Sequence, residues 1–139
     1  MTDDDDSSAL VLVQRLVVAY MQANVASRAE RAVSVNEDLV LLHLASGPAT
    51  SAELCRRLGL TSASMVHIVA GLEARGLLRR IPDATDGRRF LLYASKSAVA
   101  SLFDADIAAR LDDALGELKP AERRAVTDFL ARAPSVLIP

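Results

Sequence analysis

Residues 50–93 read TSAELCRRLGLTSASMVHIVAGLEARGLLRRIPDATDGRRFLLY, a pattern that predicts two helices and a β-hairpin in succession. Thr50 or Ser51 can cap the first helix, because a hydroxyl accepts a hydrogen bond from an unpaired N–H of the first turn. Gly59 ends this helix, since glycine adopts the positive φ that a helix end often requires. The second helix buries one apolar face, which carries Met65, Ile68, Val69 and Leu72.

The second helix also has a face of small, uncharged side chains, opposite its apolar stripe. Thr61 or Ser62 can cap this helix, and a short turn containing glycine precedes it. Two helices joined in this way are typical of a helix-turn-helix, whose second helix commonly lies in the DNA major groove. We therefore predict a DNA-binding surface made of Ser51 at the start of the first helix and of Thr61, Ser62, Ala63, Ser64, Val66 and His67 on the second.

Two short apolar segments of strand length follow: LLRRI at 77–81 and FLLYA at 90–94. Between these segments Pro82 cannot donate a ladder hydrogen bond, and Asp86 with Gly87 is a strong turn signal. The chain is thus predicted to reverse as a hairpin that carries Arg88 and Arg89 at or beside its tip. A basic hairpin beside a helix-turn-helix is a wing.

Residues 47–98 resemble the winged helix of the MarR family, the multiple-antibiotic-resistance repressors of bacteria. The motifs that carry the resemblance are EL at 53–54, LGL at 58–60, LEARGL at 72–77, and DGR at 86–88, where the family has Asp-x-Arg. The resemblance implies a mainly α-helical winged helix-turn-helix with a small β-hairpin wing, flanked by N- and C-terminal dimerisation helices. It also implies a homodimeric regulator of transcription, most often a repressor, that binds a pseudo-palindromic site in double-stranded DNA.

For the wing, the resemblance implies that Arg88 enters the minor groove while Asp86 holds its side chain through a charge-assisted pair. The other arginines of the hairpin are candidates for phosphate contacts: Arg79, Arg80 and Arg89. Arg56 and Arg57 on the first helix are further candidates, although a solvated basic face explains them equally well.

The second helix departs from the resembled family at positions where members often carry basic residues. This chain has Ser62, His67 and Gly71 there, so no arginine can read guanine from these positions. Hydroxyl contacts, a thymine-methyl contact from Ala63 or Val66, and one contact from His67 remain. The same uncharged face also suits a protein-interaction module that dimerises but has lost specific DNA binding.

Composition limits the number of domains and the classes of protein that this chain can belong to. The chain of 139 residues suits one domain, and no apolar run approaches the ~18 residues of a membrane span. The acidic start is not a signal peptide, so we expect a cytoplasmic protein without membrane contact. The net charge is −2, but residues 47–96 carry a net charge of +4, which leaves −6 for the rest. A basic centre favours phosphate locally.

The N-terminal part contains an acidic leader, residues 1–8, which we expect to be disordered, and a dimerisation segment, residues 9–34. One helix is predicted from Leu10 to about Ser27. Its apolar surface is wider than a single buried face needs, which indicates contact with a second copy, although burial within one domain is an alternative. The DNA-binding domain is predicted over residues 35–95, and Asn36 is the expected cap of its first helix.

The C-terminal part, residues 96–139, is predicted to complete the dimer interface. Ser95 can cap one long helix whose apolar stripe continues to Leu118, and Pro120 suits the first turn of a final helix. In that final helix, Val126, Phe129 and Leu130 are expected to face inward. The apolar tail SVLIP, residues 135–139, is then expected to pack on the first helix of a partner chain.

An effector site is implied by the resemblance, because members of the family often release DNA when a small aromatic or phenolic molecule binds. The candidate lining residues in this chain are Tyr20, His43 and Phe103. His43 and His67 are the only histidines and no metal-ligand spacing is visible, so neither a metal nor a cofactor is expected. The single cysteine, Cys55, excludes an internal disulfide. The sequence shows neither a nucleophile–base pair nor paired carboxylates, so it does not predict an enzyme.

Overall fold

The computed structural model describes residues 8–138, which form eight helices and one two-stranded antiparallel sheet. The predicted acidic leader lies outside the described residues except for Ser8, and so does Pro139 at the end of the predicted tail. A mainly α-helical winged helix-turn-helix with a small hairpin is confirmed. Its elements are α1 Ala9–Ala23, α2 Val25–Arg31, α3 Val35–Ala45, α4 Ser51–Leu58, α5 Ser62–Ala74, β1 Leu78–Pro82, β2 Phe90–Ala94, α6 Lys96–Leu102, α7 Ala105–Gly116 and α8 Pro120–Leu137.

The chain divides into two compact units, one ending at Phe103 and the other beginning at Asp104. The hydrophobic core lies in the first unit, where α3, α4, α5, α6 and the hairpin meet. The apolar stripe predicted for α5 faces this core, which fixes the opposite face of α5 toward solvent. The largest fully buried side chains are Val40, Leu41, Leu54, Met65, Leu72 and Leu92.

The helix-turn-helix is fixed by local hydrogen bonds at the start of each helix. Thr50 caps α4 in a capping box: its N–H donates to the Glu53 carboxylate at 2.8 Å, and the Glu53 N–H donates to its hydroxyl at 3.3 Å. Gly59 ends α4 with φ of 66°. Thr61 then caps α5 by accepting the Ser64 N–H at 3.1 Å. These starts and stops agree with the sequence pattern.

The N-terminal arm, α1 and α2, consists of two helices where one helix was predicted. α1 ends at Ala23, and α2 begins at Val25 after a bend of 42°. Asn24 lies in the break, where it is buried and its side-chain amide donates to the Tyr20 carbonyl at 2.8 Å. The Tyr20 carbonyl also accepts the Asn24 backbone N–H at 3.1 Å, and the Arg28 guanidinium donates to the Met21 carbonyl at 3.2 Å, so side chains bond two carbonyls near the end of α1. The predicted cap of α3 was also wrong, since Ser34 and not Asn36 accepts the first-turn N–H, that of Glu37 at 3.2 Å.

The single long helix predicted after Ser95 is two helices. Ser95 does cap α6, and Ala98 and Leu102 bury that helix in the core of the first unit. The helix stops at Phe103, whose backbone is extended, and Asp104 accepts N–H groups of the next first turn at 3.0 and 3.1 Å. The apolar stripe continues across the break, so periodicity alone did not reveal it. The two compact units divide after Phe103, and the predicted bounds of the DNA-binding domain, residues 35–95, stay a prediction.

The final helix α8 begins at Pro120 as predicted and runs to Leu137 with Pro134 inside it, so most of the expected tail is helical. The side chains expected to face inward are exposed in the single chain: Val126 at 37%, Phe129 at 49% and Leu130 at 47%. No described side chain of α7 or α8 is buried. The second unit therefore presents an apolar surface that its own helices do not cover.

Among residues 8–138 no single helix is both long and apolar enough to cross a membrane. α1 and α2 reach that length and hydropathy only as a pair, and they are bent by 42° at Asn24.

Candidate nucleic-acid interface

The face of α5 opposite the core is exposed along its whole length. Val66 is 69% exposed at its centre. Ser62, Ala63, His67 and Ala70 share this exposed surface. No residue of α5 before Glu73 carries a formal charge when His67 is neutral. The structure thus brings the predicted DNA-contact residues of α5 together on one exposed and uncharged surface.

Two of the predicted hydroxyls are bonded to each other. Thr61 accepts the Ser64 N–H at 3.1 Å and donates its own hydroxyl hydrogen to the Ser64 oxygen at 2.9 Å. The Ser64 hydroxyl keeps its hydrogen for an external acceptor, while Thr61 is used for capping. Ser62 at the helix start is exposed. The hydroxyl donors that α5 can offer to DNA are therefore those of Ser62 and Ser64.

The end of α5 is anchored by a residue that sequence reasoning did not select. The guanidinium of Arg75 donates to the Glu37 carboxylate, to the Ala32 carbonyl, and at 3.1 Å to the Gly71 carbonyl. The sequence did contain a signal for Arg75, because this residue lies inside the LEARGL motif that ends the helix. Arg75 joins the end of α5 to the junction between α2 and α3.

The wing is a hairpin whose strands pair in register from Leu78 with Ala94 to Pro82 with Phe90. Its loop is closed by Asp83, whose carboxylate accepts the Thr85 N–H at 3.0 Å and the Thr85 hydroxyl at 2.8 Å. The Thr85 bonds, first that from its backbone N–H, lower the pKa of Asp83 below its ordinary value, helped by the charge of Arg89. The loop conformation is thus set by its own side chains.

The expected side-chain pair between Asp86 and Arg88 was wrong. Asp86 accepts the backbone N–H of Arg88 at 3.1 Å, and its second oxygen lies 3.5 Å from the guanidinium of Arg89. Asp83 lies 3.6 Å from the same guanidinium. The carboxylate of Asp86 closes the turn through the backbone, so its free oxygen reaches the next arginine instead. Within residues 8–138 the Arg88 guanidinium has no ion-pair or hydrogen-bond partner.

A cleft of about 220 Å³ lies between the start of α4 and the wing. It exists because Ala49 and Leu92 exchange backbone hydrogen bonds of 3.3 and 2.9 Å, which hold the helix start against the hairpin. First-turn N–H groups and two guanidinium groups make such a cleft suitable for an anion. Its lining comprises Thr50, Ser51, Ala52, Arg80, Arg89, Phe90 and Leu92.

Neighbouring acids partly neutralise the basic groups around this cleft. Arg80 donates to the Glu73 carboxylate at 2.8 Å, and both side chains are 43% exposed. Arg79 lies over the Tyr93 ring, with its guanidinium carbon 5.7 Å from the ring centre. An exposed ion pair such as that of Arg80 with Glu73 contributes little stability. The arrangement leaves Arg88 as the wing arginine without an internal partner among the described residues.

The three candidate effector residues lie on separate elements of the first unit. Tyr20 is 40% exposed on α1, and Phe103 is 71% exposed after α6. His43 on α3 lies with its Nε2 2.7 Å from Arg57 Nη1, which links α3 to α4. None of the three residues lines the cleft beside the wing. The effector site remains a prediction, and among the described residues no cluster of three or more His, Cys, Asp or Glu suits a metal.

Comparisons with known proteins agree with this geometry. The model of the MarR family matches residues 33–89, which include α3, the helix-turn-helix and most of the wing. The predicted resemblance is thereby confirmed for this part of the chain. A comparison with curated proteins finds no match.

Solved structures share the fold over nearly the whole chain. A mutant of MepR from S. aureus is 17% identical with a TM-score of 0.82, and the alignment covers 94% of this chain and 99% of MepR. A probable transcriptional regulator from Pseudomonas aeruginosa is 29% identical, with a TM-score of 0.53 and coverage of 93% and 98%. BpsR of Bordetella bronchiseptica, whose DNA binding is regulated by 6-hydroxynicotinic acid, is 20% identical, with a TM-score of 0.57 and coverage of 94% and 95%.

Proposed function

Because residues 33–89 match the MarR family, we propose that the chain is a DNA-binding transcription regulator, with repression as its mode. In this proposal α5 enters the major groove and the wing enters the minor groove. The observation that carries it is Arg88 at the wing tip. Its backbone is fixed by Asp86 while its guanidinium is bonded to no other described residue. A cation on a fixed backbone loses less conformational entropy on binding than one on a mobile loop.

The cleft beside the wing supports the same proposal. Ser51 and Ala52 present first-turn N–H groups there, next to Arg80 and Arg89. A DNA phosphate in this cleft would fix the register of α5 on the duplex without reading its sequence. The affinity then comes from phosphate contacts at the cleft and the wing, whereas α5 supplies the base contacts.

We propose that the regulator is a homodimer. Leu12, Leu16 and Val18 of α1 are 51%, 53% and 54% exposed in the single chain, and α7 and α8 expose further apolar side chains. Apolar surface of this extent is unfavourable in water and is typical of an interface. A twofold-symmetric second copy covers it and supplies a second α5, which a pseudo-palindromic operator requires.

Release by an aromatic or phenolic effector near Tyr20, His43 and Phe103 belongs to the same proposal. Its support is the regulation of BpsR by 6-hydroxynicotinic acid. In this chain, His43 contacts Arg57 of α4, so a ligand on His43 would act directly on the helix-turn-helix. A regulator that acts on the bacterial chromosome works in the cytoplasm, which is the location we propose.

The alternative, a winged-helix module that binds a protein and has lost operator binding, is favoured by one observation. The exposed face of α5 between Ser62 and Ala70 carries no Lys or Arg. A protein partner would bind this face through apolar contacts, which salt does not weaken, whereas contacts to DNA phosphates weaken steeply with salt.

The test is a gel shift of the purified protein with the DNA upstream of its own gene, at two salt concentrations and with scrambled competitor. The proposal predicts specific retardation that weakens at the higher salt concentration. Arg88→Ala should abolish most of it, whereas Arg110→Ala, which removes the same charge from α7, should not. Retardation that scrambled DNA competes away equally well would favour the protein-interaction module.

A further inference from the structure

The exposed face of α5 is apolar at positions where DNA-binding proteins usually carry hydrogen-bond donors. Val66 is 69% exposed, compared with 37% for Ile81 and 46% for Phe90 in the wing. Ala63 and Ala70 lie three residues before it and four residues after it, so the three side chains form one ridge along the helix. We refer to Ala63, Val66 and Ala70 as the apolar ridge.

Basic side chains lie on neighbouring elements and not on the apolar ridge. Arg56 and Arg57 on α4 and Arg88 at the wing tip are exposed, whereas α5 has no Lys or Arg in its thirteen residues. This division matches the chemistry of duplex DNA, which is anionic along the backbone and partly apolar on the base edges. The arginine charges suit phosphates, and they favour a nucleic acid over a protein as the partner of the ridge.

In the major groove, guanine presents two acceptors, cytosine a donor, and adenine one of each. Thymine alone presents a methyl group, the one apolar feature that a ridge without donors can recognise. The ridge spans roughly 10 Å at about 1.5 Å per residue. That length covers about three base steps of about 3.4 Å.

We propose, on the basis of the DNA-binding function proposed above, that the apolar ridge reads the 5-methyl groups of thymines within about three consecutive base pairs. Val66 makes the central contact because it lies between the two alanines, is 69% exposed and has the largest side chain of the ridge. The hydroxyls of Ser62 and Ser64 and the ring of His67, beside the ridge, bind the polar edges of the neighbouring bases. The operator half-site is therefore rich in A·T pairs where α5 faces it, and the readout depends on methyl groups rather than on guanine.

The experiment replaces thymine by deoxyuridine, which pairs identically but lacks the methyl group, at single positions of the bound duplex. Affinities are measured by fluorescence anisotropy. Burial of one methyl group corresponds to about a fourfold change in affinity, so each read thymine should lose about fourfold on replacement. When the same replacement is made in both half-sites of a dimer, the loss should exceed tenfold.

Val66→Thr tests the residue itself, because the variant keeps the shape but replaces one methyl with a hydroxyl. The thymine-to-deoxyuridine ratio should fall from about fourfold to about twofold at the position that Val66 contacts, because threonine keeps one of the two methyl groups. Val35→Thr is the matched control, since Val35 is an exposed valine at 42% on α3, and it should keep the ratio. Melting curves of both variants show that the fold is intact.

Equal affinity of the wild-type protein for the thymine and deoxyuridine duplexes at every position would overturn this inference while leaving the DNA-binding proposal standing. Salt-sensitive binding that Val66→Thr leaves unchanged in both affinity and ratio would also overturn it and would assign the ridge to a protein partner. Absence of salt-sensitive binding to any duplex would reject the proposed function and this inference together.

Discussion

The guanidinium of Arg75 is bonded to the carboxylate of Glu37, which ties the residue after α5 to the first turn of α3. The same guanidinium donates to the carbonyl of Ala32, the end of α2, where φ is 52°. A second pair, Arg31 with Asp38 at 2.7 Å, ties α2 to α3. The N-terminal arm and α5 are therefore joined through one small set of ionic contacts.

Replacement of Arg75 should change the orientation of α5 more than it changes stability. The pair with Glu37 is about one-third exposed at the arginine, so Arg75→Ala should cost only about 1 kcal/mol in the free energy of unfolding. Operator affinity should fall by roughly tenfold or more, because misplacement of α5 affects every base contact at once. Urea denaturation and anisotropy measure the two effects. Arg110→Ala, which removes an exposed arginine of α7 outside the proposed DNA-binding surface, is the control for the loss of charge.

The change in DNA affinity on replacing Asp86 shows whether this residue acts through its charge or by positioning Arg88. If only charge mattered, removing this acid would strengthen DNA binding. Because Asp86 fixes the Arg88 backbone and contacts Arg89, Asp86→Ala should instead weaken binding by about threefold or more through lost preorganisation. Asp86→Asn, which keeps an oxygen acceptor for the Arg88 N–H, should weaken it less. Tighter binding by the alanine variant would show that the turn does not position Arg88.

Two carboxylates should make the winged helix sensitive to acid. The backbone N–H of Thr50 lowers the pKa of Glu53, and the backbone N–H of Thr85 lowers the pKa of Asp83. Because both folded-state pKa values lie below the unfolded ones, the stabilisation is present above about pH 4 and is lost as pH falls through the lowered values. Melting temperatures between about pH 7 and pH 3 should show this loss. The double variant Glu53→Gln with Asp83→Asn should lose less melting temperature between about pH 7 and pH 3 than the wild type. An equal loss in both proteins would show that other groups cause the acid sensitivity.

The proposed dimer depends on α1. Leu16→Lys places a charge on a side chain that is 53% exposed in the single chain, so folding of one chain should tolerate it while pairing of two should not. Analytical ultracentrifugation should show a dimer for the wild type and a monomer for the variant. The control is Ile81→Lys in the wing, 37% exposed and outside α1. A wild-type chain that stays monomeric at micromolar concentration would refute the dimer.

The winged helix could be predicted from sequence because its signals are local. Thr50, Gly59 and Thr61 fix the ends of the helices through their own hydrogen bonds and φ angles, and the LEARGL and DGR motifs lie within the segment that the family model matches. Such features depend on few distant residues. The candidate DNA-contact residues on α5 were placed on one exposed face for the same reason, although their contacts with DNA remain predictions.

The features that sequence reasoning missed depend on contacts that spacing does not encode. At the break the buried Asn24 amide bonds the Tyr20 carbonyl, and an apolar pattern continues on both sides of it. The pairing of Asp86 with Arg89 follows from the shape of the loop tip. Arg75 bonds residues that precede it by about forty positions in the chain. None of these contacts leaves a periodic signal.

The central claim, that this winged helix binds DNA through an Arg88-tipped wing, is tested most directly by the salt dependence of operator affinity. The logarithm of the association constant is measured against the logarithm of salt concentration for the wild type, Arg88→Ala and Arg110→Ala. The account predicts a steep wild-type slope, a slope reduced by about one unit per bound wing in Arg88→Ala, and an unchanged slope in Arg110→Ala. Identical slopes for all three proteins would contradict the account.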